Sequence, residues 1–131
     1  MKTLQQIFDE VASFLLKQRE RAADDLSCRY RMTVNQHTTK CAVGCLIPDA
    51  DYNSDMEGNS ISYVREHLDE EGPDLLIRAL KRNGIDCDNE DTMNLLEALQ
   101  RVHDAEEPSN WSAALEDVAV TYKLNNAAAL Q

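Results

Sequence analysis

Residues 27–47 read SCRYRMTVNQHTTKCAVGCLI, and this stretch decides between an all-helical chain and a mixed one. Cys28, Tyr30, Met32 and Val34 alternate with Arg29, Arg31 and Thr33, the period-two pattern of a half-buried strand. Asn35-Gln36-His37 makes a polar connection, and Thr38-Thr39-Lys40 begins a return strand, which predicts a small β-hairpin. The continuation, residues 41–47, reads either as more strand or as a short buried helix, because Cys41 and Cys45 stand four apart. Its small residues favour close approach of two backbone segments.

Outward from the hairpin, the signals are helical. Leu4, Ile7, Phe8, Val11 and Leu15 recur at helical spacing behind a Thr3/Gln6 capping box, predicting an amphipathic helix over 4–21. After an acidic loop over 48–60, Ile61, Val64 and Leu68 form a short apolar stripe. Pro73 is placed as a first helical residue and Gly84 as a stop. Asn89 is a good N-cap for a helix carrying Met93, Leu96, Leu99 and Val102. Ser109 is placed as the cap of a last helix, with Trp111, Leu115, Val118, Ala119 and Tyr122 facing inward against the first. With 4 Gly and 3 Pro in 131 residues, a loop-dominated or all-β chain is disfavoured. The fold class is therefore helix-dominated α+β, four to five helices around one core with a small β-hairpin. Residues 1–124 read as a single compact domain and 125–131 as a frayed tail.

The net charge is −11, unevenly spread. Residues 17–40 carry six Lys/Arg against three Asp/Glu, whereas 48–74 carry nine acids and one base, Arg65. Residues 86–107 carry eight acids and one base, Arg101. Such a surface repels nucleic acid and anionic membrane. No apolar run approaches the roughly 20 residues that span a bilayer, and the N-terminal residues lack the apolar segment of a signal peptide. The expected location is the cytoplasm, where the 4 cysteines are reduced thiols.

The order Cys28-Arg29-Tyr30-Arg31, then Lys40-Cys41-Ala42-Val43-Gly44-Cys45-Leu46-Ile47-Pro48-Asp49, then Met56-Glu57-Gly58, resembles a family of small proteins of bacteriophages and prophages. Residues 99–104 and 111–122 share the likeness, which spans nearly the whole chain. It implies a protein acting inside an infected bacterium, and it implies no particular activity. This chain departs from the pattern at residues 35–39, where a Gly-rich turn is expected.

The candidate chemistry is sparse. Cys28, His37, Cys41 and Cys45 form the best zinc set, but their C-x8-H-x3-C-x3-C spacing lacks the usual two-residue knuckle. Buried thiols explain them better, so no metal and no cofactor are expected. His37, His67 and His103 could each serve a thiol nucleophile, yet no cysteine is marked as activated. His103-Asp104 reads as a surface helix cap, and Asp86, Asp88, Glu90 and Asp91 as helix N-capping acids with a poor match to a calcium loop. Two readings of function remain. The leading one is a non-enzymatic interaction protein that binds a host protein of basic surface, such as a defence or regulatory factor, through Asp49, Asp51, Asp55 and Glu57. The alternative is a binding or sponge protein for an anionic small molecule. Its pocket would lie beside the hairpin, with Arg29, Tyr30, Arg31, Cys41 and Cys45 as ligand-binding residues.

Overall fold

A computed structural model describes residues 1–24 and 27–127. It has five α-helices and one two-stranded antiparallel sheet among those residues, a helix-dominated α+β fold. Helix α1 spans Leu4–Gln18 and opens on the complete Thr3/Gln6 capping box. It stops short of residue 21 because Arg19 turns left-handed (φ 50°), while its N–H still reaches Leu15 C=O. The sheet pairs β1 (Arg31–Val34) with β2 (His37–Lys40), in the register Arg31↔Lys40 and Thr33↔Thr38. Asn35 and Gln36 both take positive φ (50° and 68°), so a tight turn of the primed kind forms without glycine.

Residues 41–47 are neither strand nor α-helix; they turn into a 3-10 segment, Gly44–Leu46. The reason is a close approach. A Cβ on Gly44 would lie 2.0 Å from the Tyr30 carbonyl oxygen, so only glycine fits there. Cys41 N–H donates to that same carbonyl at 3.2 Å, fastening the segment to the hairpin base.

Helix α2 covers Ile61–Glu66, α3 Glu71–Arg82, α4 Glu90–Ala105 and α5 Trp111–Tyr122. Several predicted boundaries move. Leu68 falls beyond α2 and is half exposed, off the apolar stripe. Pro73 is the third residue of α3, within the first turn after the Glu70 cap, where its missing N–H costs no intrahelical bond. Ser109 lies in a 3-10 segment, Pro108–Asn110, and Asn110 precedes α5 without a side-chain cap bond. Asn89 caps α4 as expected, accepting from Thr92 N–H, and Gly84 ends α3 at φ 87°.

Helix α1 packs on both α4 and α5, burying Phe8, Val11 and Leu15 with Leu96, Leu99, Trp111 and Leu115. A fully buried side chain of this size contributes roughly 1.5–3 kcal/mol from removal of apolar surface from water. Gln5 ties Asn125 to α1, donating to its C=O and accepting its N–H, each at 2.9 Å. The start of the expected frayed tail is therefore anchored, and residues 128–131 lie outside the described residues. No helix among the described residues is long and apolar enough to cross a membrane.

Candidate functional site: a basic groove beside the hairpin

In the antiparallel register, Arg31 and Thr33 of β1 share one face with Lys40 and Thr38 of β2. The two threonine hydroxyls meet at 2.9 Å. The last turns of α1 lie alongside, because Gln18 bonds both backbone groups of Lys40: its Oε1 accepts the N–H at 3.0 Å and its Nε2 donates to the C=O at 2.8 Å. Between helix and hairpin runs a groove of about 560 Å³, lined by Phe14, Lys17, Arg31, Thr33, Thr38 and Lys40, with His37 and Asp49 at its edge.

Arg31 is the fixed element. Its side chain is 15% exposed, its guanidinium lies 4.6 Å from the Tyr52 ring centroid, and Nη2 donates to Ile47 C=O at 3.3 Å. Such stacking holds the planar cation in place. Asp49 is the carboxylate of the groove: its Oδ1 stands 2.8 Å from Arg31 and 3.5 Å from Lys40, on a side chain 84% exposed. His37 turns its ring toward Glu20, at 3.0 Å.

The remaining sequence candidates scatter. Of the five residues expected around an anionic ligand, only Arg31 lines this groove. Arg29 and Tyr30 border a different cavity of about 380 Å³, while Cys41 is buried and Cys45 half-buried. Of the four loop acids, Asp55 is exposed with no carboxylate partner among the described residues, Asp49 pairs with Arg31 and Lys40, and Asp51 accepts from Arg82 (2.6 Å) and Asn83 (2.9 Å). Glu57 accepts the backbone N–H groups of Tyr30 (2.9 Å) and Arg31 (3.1 Å) and the Tyr52 hydroxyl (2.7 Å). Lys17, Lys40, Thr33 and Thr38 were missed. The available signal was the run of bases over 17–40, but it does not show which of them α1 brings to the hairpin.

One further cluster brings three possible metal ligands together among the described residues: Cys28, His103 and Asp104, within 4.8 Å. His103 is not the surface cap its position suggested; it is fully buried, beside Trp111. Its Nε2 accepts Ala22 N–H at 2.9 Å, so the ring proton lies on Nδ1 and is donated to Asp104 at 2.7 Å. A metal on Nδ1 would move that proton to Nε2, against the Ala22 N–H, so the cluster is a poor metal site. Gln100 also donates to Asp104, at 2.9 Å, and these bonds hold the Asp104 carboxyl below the usual range despite its burial. Burial, with the Asp104 charge beside it, pushes the Cys28 thiol up to about 11, away from a nucleophilic thiolate. The disfavoured zinc candidate Cys28, His37, Cys41 and Cys45 does not come together among the described residues: His37 sits out on the hairpin with Glu20.

Comparison of the chain with protein families, with curated proteins and with solved structures finds no match.

Proposed function

We propose that this protein binds an anionic small molecule in the groove between α1 and the hairpin, without catalysing its conversion. One observation carries the reading. In a chain of net charge −11, Arg31 and Lys40 converge with Lys17 on a groove where their shared carboxylate, Asp49, is exposed and displaceable. A cationic groove on an otherwise acidic surface concentrates an anion at one place, because the rest of the molecule repels it. The groove's volume lies within the roughly 300–1,000 Å³ usual for small-molecule sites. In the bacterial host that the resemblance to phage and prophage proteins implies, such a protein would sequester a charged metabolite. Thermal melts with a panel of phosphates, sulfates and carboxylates test this. A ligand at about 100 times its Kd stabilises by about 2.7 kcal/mol, and Lys17→Ala with Lys40→Gln should abolish that shift.

A second reading, an acidic protein that engages a basic host protein, draws on a different surface from the 49–57 loop. Leu68 is 50% exposed beside a notch of about 260 Å³ lined by Ile77, Cys87 and Met93 together with two acids, Asp88 and Glu90, and two bases, Arg65 and Lys81. An exposed apolar side chain beside an apolar notch suits a partner segment that presents one apolar side chain, with Asp88 and Glu90 available to its bases. Binding of a lysine-rich peptide with a central leucine, weakened by Leu68→Ser, would support it.

A further inference from the structure

We infer, resting on the anion-binding reading, that the ligand of the hairpin groove carries a phosphate monoester, and that Asp49 is its internal stand-in. One oxygen of Asp49 reaches both Arg31 (2.8 Å) and Lys40 (3.5 Å), the position an incoming anionic oxygen would take. The two partners differ in mobility. Arg31 is nearly buried and braced by the Tyr52 ring and the Ile47 carbonyl, so the cationic seat persists when its counter-ion leaves. Asp49 is 84% exposed on a loop after Pro48, so it can swing into water with little loss of packing.

An external ligand must therefore outcompete a carboxylate already in place. A second carboxylate gains little from the exchange, because it matches the group it displaces. A phosphate monoester carries a charge of about −1.5 to −2 at neutral pH and three strong acceptor oxygens. Those oxygens match the donors the groove assembles: Arg31 Nη2, the Lys40 and Lys17 ammonium groups, and the Thr33 and Thr38 hydroxyls. The Thr33 and Thr38 hydroxyls satisfy each other at 2.9 Å in the absence of ligand, which leaves one hydroxyl proton to turn outward. The groove has more room than a phosphate fills, and Phe14 gives its wall an apolar surface for the ester's organic part.

The test is calorimetric titration of the full chain with phenyl phosphate and with benzoate, which share a ring and differ in the anionic head. Phenyl phosphate is expected to bind at least about tenfold more tightly, and its affinity should rise between pH 5 and pH 7 as the second proton, with pKa about 6, is lost. Asp49→Asn, an exposed substitution that leaves the fold intact by its melt, should strengthen phenyl phosphate binding roughly threefold to tenfold by removing the competitor. Lys40→Gln should weaken it in both backgrounds. A phosphotyrosine peptide distinguishes the source: tighter binding than phenyl phosphate assigns the groove to a phosphoprotein, and equal or weaker binding to a small phosphorylated molecule. Equal affinity for benzoate, or no gain in Asp49→Asn, overturns the phosphate assignment while leaving an anion site. Failure of both compounds to bind either the native chain or Asp49→Asn overturns the anion reading itself.

Discussion

His103 Nε2 accepts the backbone N–H of Ala22, joining the last turn of α4 to the segment that leaves α1. The contact spans 81 residues of sequence and is fully buried at both ends. Arg21 reinforces it from outside, donating to the His103 and Glu106 carbonyls at 3.1 and 2.7 Å. Together these bonds satisfy carbonyls at the end of α4 that have no partner within the helix.

Replacing His103 by Ala should therefore cost more than its lost ring contacts with Trp111. It also strands the Ala22 N–H in the core. The combined cost is about 3–5 kcal/mol, read as a lowered midpoint in urea. A loss below about 1 kcal/mol would mean that water or a shift of the 19–24 segment replaces the imidazole.

The Gly44 contact makes a sharper prediction. Gly44→Ala would place a methyl 2.0 Å from the Tyr30 oxygen, both of them backbone-fixed. Separation of the hairpin base from the 3-10 segment should follow, at about 3 kcal/mol or more. Gly58 provides the control: it sits at φ 86° with open space around it, so Gly58→Ala carries only the backbone strain of about 1–2 kcal/mol. The two melts should differ clearly, and equal melts would contradict the close approach.

Burial raises the pKa of all four thiols, Cys28 and Cys87 to about 11 and Cys45 to about 12, with Cys41 higher still. Each unit of increase removes about tenfold of the thiolate at a given pH. Disulfide-exchange reagents at pH 8 should thus label the native chain far more slowly than the unfolded one, with four equivalents taken up only in denaturant. One fast-reacting equivalent in the native protein would reveal an activated thiol. Because these pKa values are raised and the neutral thiol is favoured by folding, stability should decline as pH rises above the ordinary thiol value of 9.0.

Among the described residues, two carboxyl groups are held down in pKa and couple the fold to acid. The bonds from His103 and Gln100 prevail over burial at Asp104, and those from Asn83 and Arg82 act at Asp51; both groups are held below the ordinary 3.8. A depressed carboxyl stabilises the fold above its unfolded pKa and loses that contribution as pH falls through the folded one. Urea midpoints should be flat near neutrality and fall below about pH 4, and Asp104→Asn should flatten part of that decline. An unchanged acid limb in Asp104→Asn would place the titration elsewhere.

The elements that local chemistry controls were legible. The Thr3/Gln6 box, the Asn89 cap and the Gly84 stop each act over a few residues; the strand Arg31–Val34 forms as read, but its burial does not alternate, and Val34 is 53% exposed because the ribbon end stands clear of the core. What was illegible depended on contacts far apart in sequence. His103 reads as a surface residue until Ala22 and Trp111 close over it. The 41–47 segment shows both periodicities, and the Tyr30 carbonyl selects a third conformation. The groove was half legible: Arg31 and a pocket by the hairpin could be read from the strand pattern. Lys17 and Lys40 could not, because their meeting depends on Gln18 bonding to a backbone 22 residues away.

The flanks of the hairpin base have one more effect. A two-stranded ribbon leaves two open rows of N–H and C=O groups, each able to template a strand from a neighbouring molecule. Here the Glu57 carboxylate accepts the N–H of Arg31 at the strand edge and that of Tyr30 just before it, and the Gln18 amide occupies both groups of Lys40 on the other side. Side chains thus take the places that additional strands would fill. The edge groups that these two side chains hold are thereby denied to a strand from another copy, so the base of the ribbon is guarded there against zipping into fibres.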